Sequence, residues 1–291
     1  MLLFFPRLGV IVLYRSILCL LGLVSFISLA SSVKQSFPEI ENDVPYSKVA
    51  ALPFSSAEQQ VQYGEEALQY ALLWRAHKAK NTSKQPLVIL IHGGCWLNAF
   101  DIKHTYALST GLAQAGFNVW SLEYRRTGDL GGGWPSTFED VLAGIQALKE
   151  YNQGEFDLSN AVLVGHSAGG HLALLAGGIM DNLKGVIGLA AITDIEAYSQ
   201  GTNSCQQVTN DFMGGSVSDK PKEFAQANPA KQPLHLQTYL LQGSQDKIVP
   251  EGDLANFEQR TVVVEGAGHF DWIHPGSKAF KTLIQQLRSM P

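Results

Sequence analysis

Four short stretches of this chain carry residues that could act together on one bond. The first is Gly165-His166-Ser167-Ala168-Gly169-Gly170, which follows the apolar run Ala161 to Val164 and opens a helix-forming segment. A serine at a sharp strand-to-helix turn needs small neighbours, and Gly165, Gly169 and Gly170 supply them. Its hydroxyl would stand exposed as a nucleophile, with the helix N-terminus offering N–H groups to developing negative charge. The second is His92-Gly93-Gly94-Cys95-Trp96, after the run Leu87 to Ile91. Glycines there let backbone N–H groups approach a carbonyl oxygen as it becomes an oxyanion, each donor contributing roughly 3 kcal/mol in the transition state. Gly93, Gly94 and Cys95, with Ala168 after the serine, are the candidate donors.

The third stretch, Gly243 to Pro250, holds Asp246, and the fourth, Gly266 to Asp271, holds His269. Each follows an apolar strand-like run, so both would lie at the carboxyl edge of a sheet. The chain order Ser167, Asp246, His269 suits acyl transfer in which His269 takes the serine proton and Asp246 fixes the imidazole tautomer. Asp194 and Asp253 are rival acids. Trp96, His166, Phe212 and Met213 are candidate pocket residues for a compact apolar ligand. His92 is expected to brace the oxyanion loop and His171 to pack. His77, His104, His235 and His274 lack metal-ligand spacing, so no metal, and no other cofactor, is implied.

These motifs need elements to hold them. Short apolar runs at Leu87–Ile91, Phe117–Leu122, Ala161–Val164, Val186–Ala191, Thr238–Leu241 and Thr261–Val264 predict buried strands. Helical periods at Thr105–Ala115, Thr137–Tyr151, Ala168–Met180 and Ser277–Met290 lie between and after them. The alternation predicts an α/β fold with a mostly parallel sheet. Earlier strands near Val61–Tyr63 and Leu68–Trp74 would form an antiparallel edge. The stretch 194–235 is too long for a plain loop and reads as an inserted cap.

The chain has 291 residues, 45% hydrophobic and 16% charged, with a net charge of −5. Such a chain can bury a large core, and nothing in its charge calls for nucleic acid. Residues 1–32 carry two bases, an apolar run from Ile17 to Ala30 and small residues after it. That is the pattern of a signal peptide, so export to the periplasm or beyond is expected. If the segment stays uncleaved, it would be the chain's one contact with a membrane. Residues 33–58 read as an exposed lead-in and 59–291 as the domain. Asn81-Thr82-Ser83 matches a glycosylation sequon. Once Cys19 leaves with the signal, Cys95 and Cys205 remain. Export permits them to pair, but a disulfide demands a geometry that spacing does not reveal, and two unpaired thiols are the simpler expectation.

On these residues the chain resembles the α/β-hydrolase superfamily, from about Tyr63 to the C-terminus. It is most similar to the branch of hormone-sensitive-lipase-like esterases, small feruloyl-type esterases and kynurenine formamidases. HGG-x-W at His92 to Trp96 and GHSAGG at Gly165 to Gly170 carry the likeness. Tyr63-Gly64, Glu123-Tyr124-Arg125 and Asn228-Pro229 are weaker echoes. The resemblance implies helices on both faces of the sheet and a small cap. It also implies a serine hydrolase that cleaves small, short-chain or aromatic esters through an acyl-enzyme on Ser167. Cys95 departs from the pattern, since an aromatic residue or glycine often stands there. A signal peptide is unusual for a formamidase, which favours an exported esterase over an amide hydrolase of the N-formylkynurenine type. A non-catalytic binding protein on the same fold usually lacks the serine or the histidine, and this chain has both.

Overall fold

Every residue of Leu87–Ile91 is buried, yet alternate side chains enter different cores. Leu87, Ile89 and Ile91 join one apolar layer, while Val88 and Leu90 join another. A strand buried on both faces belongs inside a sheet covered by helices on each side. The computed structural model describes residues 34–77, 85–180, 182–250 and 260–291, and has this architecture.

The strands are β1 (Gln59–Gln62), β2 (Tyr70–Trp74), β3 (Leu87–Ile91), β4 (Asn118–Leu122), β5 (Ala161–His166), β6 (Gly185–Leu189), β7 (Thr238–Gly243) and β8 (Thr261–Val264). Their spatial order is β1-β2-β4-β3-β5-β6-β7-β8. β2 pairs antiparallel with β1 and β4, and every other pairing is parallel. The expected α/β-hydrolase architecture with its antiparallel edge is therefore present.

The first helices among the described residues are α1 (Tyr46–Ala50), α2 (Tyr106–Gln114), α3 (Ser136–Asn152) and α4 (Ala168–Gly178). Four short ones follow, α5 (Ile195–Tyr198), α6 (Ser204–Gln207), α7 (Thr209–Met213) and α8 (Pro221–Ala227), and then α9 (Lys278–Ser289). Val141, Ile145 and Leu148 of α3 and Leu172, Ala173 and Ala176 of α4 fill one layer. Leu108 and Leu112 of α2 and Phe280, Leu283 and Leu287 of α9 fill the other. Ser277 caps α9 by accepting the Phe280 N–H at 2.9 Å. The stretch from Asp194 to His235 is the run of short helices α5 to α8, each too brief to persist without the packing beneath it.

Residues 34–58 are not a free lead-in. Val44 and Val49 are 3% and 2% exposed and sit in the α2/α9 layer. The Trp74 indole N–H donates to the Ser55 carbonyl at 2.8 Å. Proline-rich polar sequence concealed this anchoring, because its partners lie far along the chain. The signal segment, the sequon at Asn81 and the rival acid Asp253 lie outside the described residues. Among the described residues no helix is long and apolar enough to cross a membrane.

Candidate active site

The carboxyl ends of β3, β5, β7 and β8 deliver the four motifs to one edge of the sheet. Ser167 follows β5 and precedes α4 with φ +56° and ψ −122°. Such a conformation costs a non-glycine residue of order 1–3 kcal/mol and persists only where its surroundings enforce it. Here the Ser167 N–H donates to the Leu189 carbonyl at 2.8 Å, and its carbonyl accepts the His171 N–H at 3.1 Å. Gly169 allows the tight approach of α4, since a Cβ there would stand 2.2 Å from the His92 carbonyl oxygen.

The loop after β3 turns through positive φ at Gly94, Cys95 and Trp96 (+110°, +53° and +56°). Among the described residues no group accepts from the N–H of Gly94 or Cys95, which leaves both available to a ligand. Ala168 is the first residue of α4, where N–H groups have no helical acceptor. Gly93 lies directly against the serine: a Cβ added to it would sit 3.0 Å from the Ser167 Cβ. The Gly93 carbonyl accepts from His92 Nδ1 at 2.7 Å.

His92 braces this loop. Its Nε2 lies 2.9 Å from Glu123 Oε1, and Tyr124 stacks on its ring at 4.3 Å. Glu123 also accepts the N–H groups of Tyr124 (2.9 Å) and Ile102 (3.0 Å), with Arg126 at 3.5 Å. Burial alone raises the Glu123 carboxyl, but His92, Arg126 and the Ile102 N–H outweigh it and hold the group below its ordinary range. The neighbouring Arg125 forms a two-point pair with Asp140 at 2.8 and 2.7 Å. The Glu123-Tyr124-Arg125 echo in the sequence was the signal for this buried bracing.

His269 Nδ1–H donates to Asp246 Oδ2 at 2.7 Å, and Nε2 has no hydrogen-bond partner among the described residues. Asp246 is oriented by two further donors on Oδ1, the N–H groups of Ile248 (2.8 Å) and Val249 (2.9 Å). His166 Nε2–H donates to the His269 carbonyl at 3.0 Å. Burial, then the adjacent His269 ring, push the His166 imidazole well below its ordinary value, so it is neutral. Asp194 instead caps α5, accepting from Glu196 and Ala197 N–H groups and from Asn228. His171 packs in the core and bonds the Ala227 carbonyl at 2.7 Å.

Ser167, His269, His166, Gly94 and Cys95 line one cavity of about 240 Å³. Its walls are Tyr46, Phe100, His104, Ser204, Ile248 and Phe270. Trp96, Phe212 and Met213 are not among its lining residues, contrary to the sequence expectation. All three are at most 2% exposed; Trp96 stacks on Phe212 at 4.6 Å and 7° in the core beneath α7. Trp96 also meets the His171 ring edge-on at 5.3 Å in that layer. Phe270 and Phe100 were within reach of a sequence reading, being near His269 and Trp96. Tyr46 carried no such signal. A second cavity of about 780 Å³, bordered by Leu142, Lys149, Ile179 and Met180, shares no lining residue with the first.

Cys95 and Cys205 are joined by a disulfide, with Cα atoms 5.2 Å apart. The expectation of two unpaired thiols is therefore corrected. α6 carries Cys205 over the same sheet edge from which Cys95 emerges, so 110 residues of separation collapse to bonding distance.

The chain is 26% identical over 242 residues to Esterase LipC of Mycobacterium tuberculosis, covering 72% of this chain and 58% of that one. Over 119 residues it is 29% identical to a kynurenine formamidase of Meyerozyma guilliermondii, covering 41% of this chain and 42% of the relative. The chain thus spans less than two thirds of either relative. The structure of Esterase B from Lactobacillus rhamnosis superposes with a TM-score of 0.70 at 20% identity, over 84% of this chain and 89% of the other. The BD-FAE family model matches residues 76–260. That span holds β3 to β7, the loop at His92, the turn at Ser167 and Asp246, and on it the chain belongs to the BD-FAE family of α/β-hydrolase-fold proteins.

Proposed function

We propose that this protein is a serine carboxylesterase that cleaves small, short-chain or aromatic esters. Ser167 attacks the carbonyl while His269 Nε2 takes its proton, and Asp246 stabilises the imidazolium. The N–H groups of Gly94, Cys95 and Ala168, with Gly93 shaping the loop, receive the oxyanion. Water then releases the acyl group by the same proton route in reverse. The observation that carries this reading is the Asp246–His269 pair at 2.7 Å opening onto the same cavity as the strained Ser167. The cavity volume of about 240 Å³ lies below the range of about 300–1,000 Å³ found for drug-sized ligands, which favours compact substrates.

The partial likeness to a kynurenine formamidase supports a second reading, hydrolysis of an N-formyl aryl amide by the same three residues. A panel of p-nitrophenyl esters, feruloyl esters and N-formylkynurenine separates the two. Turnover of esters, lost in Ser167→Ala together with fluorophosphonate labelling, is the expected result. Retained turnover in that variant would sink the mechanism. The reading extends to location: an exported protein, whose Cys95–Cys205 bond suits an oxidising compartment.

A further inference from the structure

Tyr46 lies 30 residues before the span that the family model matches, yet it lines the cavity at Ser167. Its ring meets Phe270 at 5.4 Å and Phe100 edge-on at 5.6 Å. Phe270 directly follows His269 and packs against it at 5.1 Å. Phe100 presses on the oxyanion loop, where a Cβ on Gly94 would come within 2.5 Å of it. Tyr46 therefore spans the gap between the histidine side and the oxyanion side of the cavity.

The backbone around Tyr46 is tied down on both sides. Before it, the N–H groups of Asp43 and Val44 donate to Asp271 Oδ2 at 3.0 and 3.2 Å. After it, Val49 is buried in the α2/α9 layer. A ring held this way is a fixed wall and not a swinging tether. Its hydroxyl has no hydrogen-bond partner among the described residues, so the fold does not require the phenol for its own bonding.

We infer that Tyr46 is a specificity-determining residue, whose ring closes the cavity and limits the length of the group bound beside Ser167. The inference rests on the esterase reading and deepens it. It places part of the substrate selection in the N-terminal segment, outside the region matched by the family. Removing the ring joins its volume to the cavity, and a pocket that gains room for methylenes discriminates by roughly tenfold or more between chain lengths.

The test is kcat/KM for the full chain across p-nitrophenyl esters from acetate to octanoate, in the unaltered protein and in Tyr46→Ala, Tyr46→Phe and Tyr46→Trp. Tyr46→Ala should raise the octanoate-to-acetate ratio about tenfold or more, and Tyr46→Trp should lower it. Tyr46→Phe should keep the original ratio, since the ring remains. Opposite shifts in the alanine and tryptophan variants separate a wall from a general loosening of the fold. Ratios within twofold of the original in both variants would overturn the inference while leaving the esterase reading standing. Failure of the unaltered protein to hydrolyse any ester would overturn the esterase reading, and this inference with it.

Discussion

Asp271 Oδ2 accepts the backbone N–H of Asp43 at 3.0 Å, joining the loop that carries His269 to the segment that carries Tyr46. The same oxygen accepts from Val44 at 3.2 Å and Gly268 at 2.7 Å. One carboxylate thus orders both sides of the cavity. Hydrogen bonds to a charged group contribute about 1.5–3 kcal/mol each to stability, so Asp271→Ala should destabilise the fold by several kcal/mol. Urea unfolding checks the stability, and kcat of the surviving folded fraction checks the loop. An unchanged unfolding midpoint would mean that the three bonds are dispensable.

The Asp246–His269 bond makes a sharper claim on rate than on stability. Asp246→Asn should lower kcat by about four orders of magnitude, as loss of the orienting acid does in comparable triads. Asp194→Asn should leave kcat close to the original and cost about 1 kcal/mol or less of stability, because Asp194 serves as a helix cap. A larger rate loss in Asp194→Asn than in Asp246→Asn would reassign the acid.

The backbone at Ser167 stores strain that a glycine would release. Ser167→Gly should be inactive but more stable than Ser167→Ala by about 1 kcal/mol, after allowing for the extra chain entropy that glycine loses on folding. Thermal unfolding of the two inactive variants side by side is the measurement. Equal stability would show that the backbone turn at Ser167 is relaxed.

His171 and His104 join His166 as buried histidines that give the fold an acid limit. Burial pushes His171 down to about 4, and burial with the nearby His92 pushes His104 down to about 3, from an ordinary value of 6.5. Below pH 6.5 the unfolded chain takes up protons that the folded chain refuses. Stability therefore falls as pH drops from about 6.5 toward 4, by about 1 kcal/mol per pH unit for each histidine. Above pH 6.5 neither contributes a slope. Urea midpoints at pH 7, 5.5 and 4.5 test this, and His171→Gln should flatten the decline.

Opening the Cys95–Cys205 bond should release α6 from the loop that follows β3. The chain-entropy model assigns about 4–5 kcal/mol to a closure of 110 residues. A Cys95→Ser/Cys205→Ser double variant should unfold at a lower urea concentration, whereas Cys19→Ser should not. Equal midpoints would show that the bond adds nothing to stability.

Local sequence determined much of this protein. The buried strands are legible because a strand covered on both faces must be apolar throughout, as in Leu87–Ile91. The motifs at His92, Ser167, Asp246 and His269 are legible because each is a turn directly after its own strand, and parallel strands bring their carboxyl ends to one edge. Side-chain placement across that edge is another matter. Trp96, Phe212 and Met213 are as apolar as any pocket residue, but they lie in the core, where Trp96 and Phe212 pack against His171 of α4. Tyr46 lines the cavity because Asp271, more than 200 residues later, holds the backbone of Asp43 and Val44 just before it. Cys95 finds Cys205 only when α6 folds over the sheet. These contacts depend on surfaces built from distant segments, so no window of sequence contains them, and the tertiary structure alone decided them.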